Sequence, residues 1–166
     1  MDIDNEEPLF DEDPATELAR LAQETIESQS ETMDAVQARI RCQRVIDLYA
    51  QGVIQEARDN FHAALVLLYG ELQSHYDLAR MFARRGAALG DARSWTVQAM
   101  AWDRLLILQR KPQRFGTQIF KKGGTWTLGD VDPHVSDTER ALYGVPPLFV
   151  QQQRVEQLQR QGNVEE

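Results

Sequence analysis

The feature that most restricts this chain is a helix that must stop. Residues 92–110 read as an amphipathic helix, with Trp95, Ala99, Trp102 and Leu106 recurring on one stripe of a 3.6-residue period. Lys111-Pro112 ends it, because the residue before a proline is pushed out of the α region. The next residues, P-Q-R-F-G-T-Q, form a turn crowded with polar side chains. An apolar stripe of that length has to be covered by other elements, and the same period recurs on its N-terminal side.

Asp13-Pro14 is a helix start: aspartate suits the N-cap and proline the first helical position. Leu18, Leu21, Ala22 and Ile26 follow at helical spacing, then Met33, Val36, Ile40, Val45, Leu48 and Tyr49. Whether Ser28 to Thr32 breaks this stretch into two helices is left open by the pattern. Residues 55–70 make another helix, with Phe61, Ala64, Leu65 and Leu68 on its buried side, and residues 71–89 the next, with Leu72, Tyr76, Ala79, Phe82 and Ala83 inside.

These helices carry a weak internal echo. L-Y-A-Q-G-V-I-Q-E-A-R matches M-F-A-R-R-G-A-A-L-G-D-A-R with Gly52 set on Gly86, 34 residues later. That period resembles tetratricopeptide-type helical hairpins, and a plain antiparallel bundle explains it nearly as well. Ala57, Ala63, Ala83, Ala92 and Ala99 would let the helices approach closely.

Beyond the turn the texture changes. I-F-K-K-G-G-T-W-T-L reads as a two-residue β-hairpin near residues 118–128, pairing Lys121 with Trp126 and Ile119 with Leu128. A lone hairpin is marginal in water, so it must lie on the helices. Ser136 caps a short helix through Tyr143, with Glu139 completing a capping box, and residues 148–161 form a final helix with little apolar content. The expected fold is all-α, antiparallel helical hairpins (tetratricopeptide-like or a bundle) with one small β-hairpin. Residues 14–161 would form a single helical domain, with an acidic disordered tail at 1–13 and a frayed end at 162–166.

Charge and cysteine content narrow the function. The chain has 166 residues and a formal charge of −8, but residues 1–13 alone hold seven acids and no base. The other 153 residues hold 19 acids against 18 bases, so the body is nearly neutral. That argues against nucleic-acid binding, which draws on a basic surface. In the tail, Leu9 and Phe10 make either a docking hook or part of a solvated stretch. One cysteine, Cys42, excludes an intrachain disulfide framework and reads as a small buried apolar group. The longest apolar run, residues 63–69, is far short of the ~20 residues of a membrane helix. The acidic start lacks the bases of a signal peptide, so a cytoplasmic location is expected, with no membrane partner.

No phosphate loop, nucleotide fingerprint, H-E-x-x-H or G-x-S-x-G motif is present. The densest set of recognition groups is Asp103 and Arg104 near the helix end with Gln113, Arg114, Thr117 and Gln118 in the turn; Arg140 is a further candidate anion clamp. These groups suit a polar small molecule or a peptide; they equally suit a loop that ties itself down. Glu71 with His75, and Asp59 with His62, are each half of a metal site, but the full Glu-x-x-His pattern is missing, so no metal or other cofactor is expected. Trp95, Trp102 and Trp126 read either as a ligand wall or as core.

The run A-M-A-W-D-R followed by P-Q-R-F-G-T-Q resembles a widespread, uncharacterised, mainly helical bacterial family, a domain of unknown function, marked by an A-x-x-x-D-R helix and a G-x-P-Q-x-[FY]-G-T-Q turn. W-T-L-G-D-V-D-P and E-R-A-L-Y-G-V-P-P-L extend the resemblance over roughly half the chain, and H-Y-D-L-A adds to it. Arg110-Lys111 departs from the pattern, which tends to a glycine before Pro-Gln. The resemblance carries no activity; it implies that Asp103, Arg104, Gln113, Gly116, Thr117 and Gln118 act as a unit.

The expected function is therefore a helical binding domain with its site at the central helix end and the turn. The alternatives are a small enzyme using Asp103 or His75 as acid/base with Arg104 or Arg140 holding an anion, and an adaptor using a concave helical groove.

Overall fold

The computed structural model describes residues 12–30 and 34–162; the first eleven residues, with Leu9 and Phe10, residues 31–33 with Met33, and the last four lie outside it. Seven α-helices and one hairpin follow in order: α1 (Pro14–Glu27), α2 (Ala35–Ala50), α3 (Ala57–Leu68), α4 (Gln73–Ala88), α5 (Arg93–Leu108), β1 (Phe120–Lys122), β2 (Thr125–Thr127), α6 (Asp137–Leu142) and α7 (Leu148–Gly162). The all-α reading with one small hairpin holds.

The open question over residues 14–51 resolves as two helices separated by a 3₁₀ turn, Ser28–Ser30. Each has its own aspartate cap: Asp13 accepts from the Thr16 amide and Asp34 from the Val36 amide. Glu12 is bound to Arg20. Glu12 and Asp13, the last two residues of the tail expected over 1–13, are thus tied to α1, and the rest of that stretch lies outside the described residues.

The main core is formed by Leu18, Leu21, Cys42, Val45, Leu48, Leu67 and Phe82 with their neighbours. Consecutive helices α3, α4 and α5 make the most extensive contacts, and α1 lies on α3. Close approach is forced at Gly86, where a Cβ would stand 2.5 Å from Ser94 Oγ and 3.2 Å from the Ala57 carbonyl. Gly86 is therefore a packing position inside α4, and the left-handed turn after that helix falls to Gly90 (φ 105°), as the turn after α2 falls to Gly52 (φ 73°). The alignment of Gly52 with Gly86 matches residues in different roles. Among the small residues, Ala63, Ala83 and Ala99 are fully buried, whereas Ala92 is exposed.

Three inward faces differ from expectation. Ile26, Val36, Ile40, Tyr49 and Leu72 are exposed; α2 turns Ala38, Cys42, Val45 and Leu48 inward, and α4 turns in Ala79, Phe82 and Ala83. On α5 the main core takes Val97 and Ala101, not the tryptophan stripe. Ala99 and Trp102 instead face a second core made with Phe115, Val135, Tyr143 and Val145. Trp102 meets Phe115 edge-on at 5.8 Å and Trp95 meets Tyr143 at 5.6 Å, although Trp95 keeps 41% of its surface exposed. Helix α5 is buried on two sides, which is why its apolar surface exceeds one stripe.

The hairpin register pairs Lys121 with Trp126, as expected, flanked by Phe120 with Thr127 and Lys122 with Thr125. The Lys121 ammonium lies 5.1 Å from the Trp126 ring centre. The ladder stops before Ile119 and Leu128, because the Leu128 carbonyl accepts from Gln113 Nε2 instead. Ser136 caps α6 by accepting from the Glu139 amide, but the Glu139 carboxylate binds Arg114, so the capping box is half formed.

Candidate functional site

The site is built where α5 ends. Arg110 takes the left-handed conformation (φ 57°); its amide donates to the Ile107 carbonyl and the Lys111 amide to the Leu106 carbonyl, the pair of bonds that closes a helix C-terminus. That position favours glycine. The chain then doubles back along α5 through residues 112–118.

Asp103 holds the returning chain. It is fully buried, and its two oxygens take four hydrogen bonds. Oδ1 accepts from the amides of Arg114 at 2.7 Å and Phe115 at 3.0 Å; Oδ2 accepts from the Thr117 amide at 2.9 Å and hydroxyl at 2.7 Å. A buried carboxylate is costly unless donors replace its water, and here three backbone amides and a hydroxyl do so. Asp103 orients the turn, and Arg104 points elsewhere.

Gln113 closes the turn from within. Its Nε2 donates to the carbonyls of Gln118 at 2.9 Å and Leu128 at 2.6 Å, and its Oε1 accepts from the Gln118 amide at 2.8 Å. Its backbone bonds Asp130 and Asp132, a parallel bridge centred on Val131. Arg140, itself buried, donates from Nε to the Phe115 carbonyl at 2.9 Å and from Nη1 to the Val135 carbonyl at 2.8 Å, with Asp137 at 3.1 Å. Gln151 of α7, which the sequence did not single out, donates to the Gly116 carbonyl at 3.0 Å. Gly116 sits at φ 75° with Leu148 and Val131 packed where a side chain would go. The turn's backbone is thus bonded at nearly every residue, by buried side chains from α5, α6 and α7, by Gln113's own side chain and by the 130–132 backbone.

Arg104 and Gln118 face the other way. Arg104 donates from Nε to Gln118 Oε1 at 2.8 Å and from Nη1 to the Leu68 carbonyl at the end of α3, with its guanidinium 4.7 Å from the Tyr69 ring centre. Burial pulls this guanidinium below the ordinary arginine value, opposed by Tyr76 and Tyr69. Gln118 Nε2 reaches Thr117 Oγ1 at 3.0 Å. Arg114 pairs with Glu139 and lies 5.1 Å from the Trp102 ring centre, whose face Arg80 covers at 3.9 Å.

The structure brings Asp103, Gln113, Thr117 and Gln118 into one network, with Arg104 joined through Gln118 and Arg140 through the Phe115 carbonyl. What the network binds is the turn itself. His75 is not part of it. Its Nδ1 accepts from the amides of Glu71 and Leu72, capping α4, and burial holds its pKa below the ordinary 6.5. Among the described residues no hydrogen bond joins His75 to Asp103, and no three His, Cys, Asp or Glu side chains are grouped to hold a metal. Of the two residues offered as acid/base, Asp103 has both oxygens filled by donors of the turn and His75 has its Nδ1 engaged at the start of α4.

Open space lies around the network. A cavity of about 570 Å³ between β2 and α7 is walled by Trp126, Leu128, Leu148 and Val155. One of about 530 Å³ lies between the end of α5 and the hairpin, and one of about 380 Å³ lies over Trp102, Leu106 and Arg114. Gln151 and Arg110 were invisible as site residues because each takes its role from position: a glutamine among many on α7, and an arginine where the backbone prefers glycine. No protein-family model matches the chain, and no curated protein or solved structure matches it either.

Proposed function

We propose that this chain is a helical binding module that takes a polar small molecule or a peptide around the end of α5, the 112–118 turn and the hairpin. The observation that carries the reading is the internally bonded turn: Asp103, Gln113, Arg140 and Gln151 fix its backbone, and three cavities border the platform so made. Such preorganisation limits the ordering cost of binding. In this reading the polar unit is the support, and the contact groups are those on its outer surfaces, among them Arg110, Lys111, Arg114 and Lys122. No described helix is long and apolar enough to cross a membrane.

One observation favours the adaptor reading. At the opposite end of the bundle Tyr49, Ile54, Ala88 and Leu89 wall a cavity of about 610 Å³, with Tyr49 and Leu89 exposed. Amide spectra of the ¹⁵N-labelled chain, screened against polar small molecules and short peptides, separate the two. The binding-module reading expects ligand-induced shifts within residues 106–132 and 148–156. Shifts confined to residues 49–55 and 85–89 would contradict it in favour of the adaptor.

A further inference from the structure

The cavity between α5 and the hairpin has a chemistry of its own. Lys111, Lys121 and Lys122 are the only lysines among 18 basic residues; Lys121 lies over Trp126, and the other two turn to this cavity. Lys111 and Lys122 line the cavity beside Arg110, with Asp130 the one acid in its wall. Among the described residues no salt bridge uses Arg110, Lys111 or Lys122. Ile107, Phe120 and Leu128 supply apolar surface in the same space. Its volume, about 530 Å³, is that of a small-molecule site.

We propose that this cavity is an anion site for a phosphorylated small molecule with an apolar body, an inference that rests on the binding-module reading and names its ligand class. Two of the cations stand just past the α5 C-terminus, where positive charge also complements the helix dipole. That effect alone explains neither Lys122, which arrives from the hairpin, nor an arginine at φ 57°, where glycine sits without strain. The guanidinium offers paired donors to phosphate oxygens, the two ammonium groups add compact charge, and the apolar wall takes the body of the ligand.

Arg110→Gly makes the test sharp, because it removes the guanidinium while suiting the backbone. Calorimetric titrations of the full chain at low salt would use ADP, pyrophosphate, succinate and adenosine, on wild type, Arg110→Gly and Lys122→Ala. The site expects ADP to bind most tightly, pyrophosphate more weakly and adenosine not at all, with affinity falling as salt is added. Each variant should lose about tenfold or more in ADP affinity, the scale of one charged hydrogen bond, while Arg110→Gly melts no lower than wild type. Failure of ADP and pyrophosphate to bind the folded chain at millimolar concentration overturns the site, as does unchanged ADP affinity in both variants. Succinate binding as tightly as pyrophosphate overturns the phosphate class. If the anions fail while the amide-shift screen finds another ligand on residues 106–132, the anion site falls and the binding module stands.

Discussion

Asp103 shows how much one side chain decides here. Asparagine is the same size, but its Nδ2 would face donors that now find a carboxylate oxygen. Asp103→Asn should lose about 2–4 kcal/mol in urea unfolding, whereas Thr117→Val, which removes a hydroxyl that donates to Asp103 and accepts from Gln118 Nε2, should lose about 1–2 kcal/mol. At Arg110 the direction reverses: glycine relieves the left-handed backbone, and Arg110→Gly should gain about 0.5–1 kcal/mol. The histidines set a pH dependence. Burial holds His62 and His75 below the ordinary 6.5, so between those values and 6.5 the unfolded chain binds more protons. Their contribution is fully present above about pH 6.5 and is lost as pH falls below it. Protonating His75 also removes the acceptor that caps α4. The urea midpoint should be flat from about pH 8 to 7 and fall from about 6.5 towards 5, and His75→Gln should flatten that fall. Glu17 and Asp91, held below the carboxylate range by hydrogen bonds from Arg44 and Arg93, act in a lower window, losing their contribution as pH drops through about 4.

At the scale of elements, the most informative contact is the crossing of α3, α4 and α5. Gly86→Ala improves intrinsic helix propensity, yet its Cβ would overlap Ser94 Oγ, in a fully buried residue. The variant should be destabilised by about 1–3 kcal/mol, and part of that loss should return in a Ser94→Ala background, since Ser94 Oγ has no hydrogen-bond partner among the described residues. Thermal unfolding of the two single variants and the double variant checks this. Helices α3, α4 and α5 were legible in the sequence to within a few residues because Gly52, Gly90 and Pro112 punctuate them; the hairpin register was legible because Gly123-Gly124 leaves few turns open. The inward face of α2 was not: Val36 and Ile40 compete with Cys42 and Val45 for the apolar side, and only the neighbouring helices decide. The tryptophan stripe of α5 misled for a related reason. Periodicity shows that a face is apolar, not which of two cores covers it.

For the whole molecule, two cores share α5, and the second is closed by Phe115 from the turn that Asp103 anchors. Of the polar side chains read from the sequence, Asp103, Arg104, Gln113, Thr117, Gln118 and Arg140 are joined through hydrogen bonds of the turn, whereas Arg114 turns to Glu139 and Trp102. The sequence could not show the orientation of this set, because an inward-facing network and a ligand-facing one use the same residue types, and the partners at Leu128, Val135 and Leu68 come from distant parts of the chain. Bonded in this way, the turn should behave as a fixed platform rather than an adaptable loop. Native-state hydrogen exchange of the full chain measures this directly. The amides of Arg114, Phe115, Thr117 and Gln118 should be protected to a degree comparable with the buried amides of α3, and Asp103→Asn should release the first three selectively. Exchange of these amides as fast as at the exposed Gly123-Gly124 tip would contradict the account.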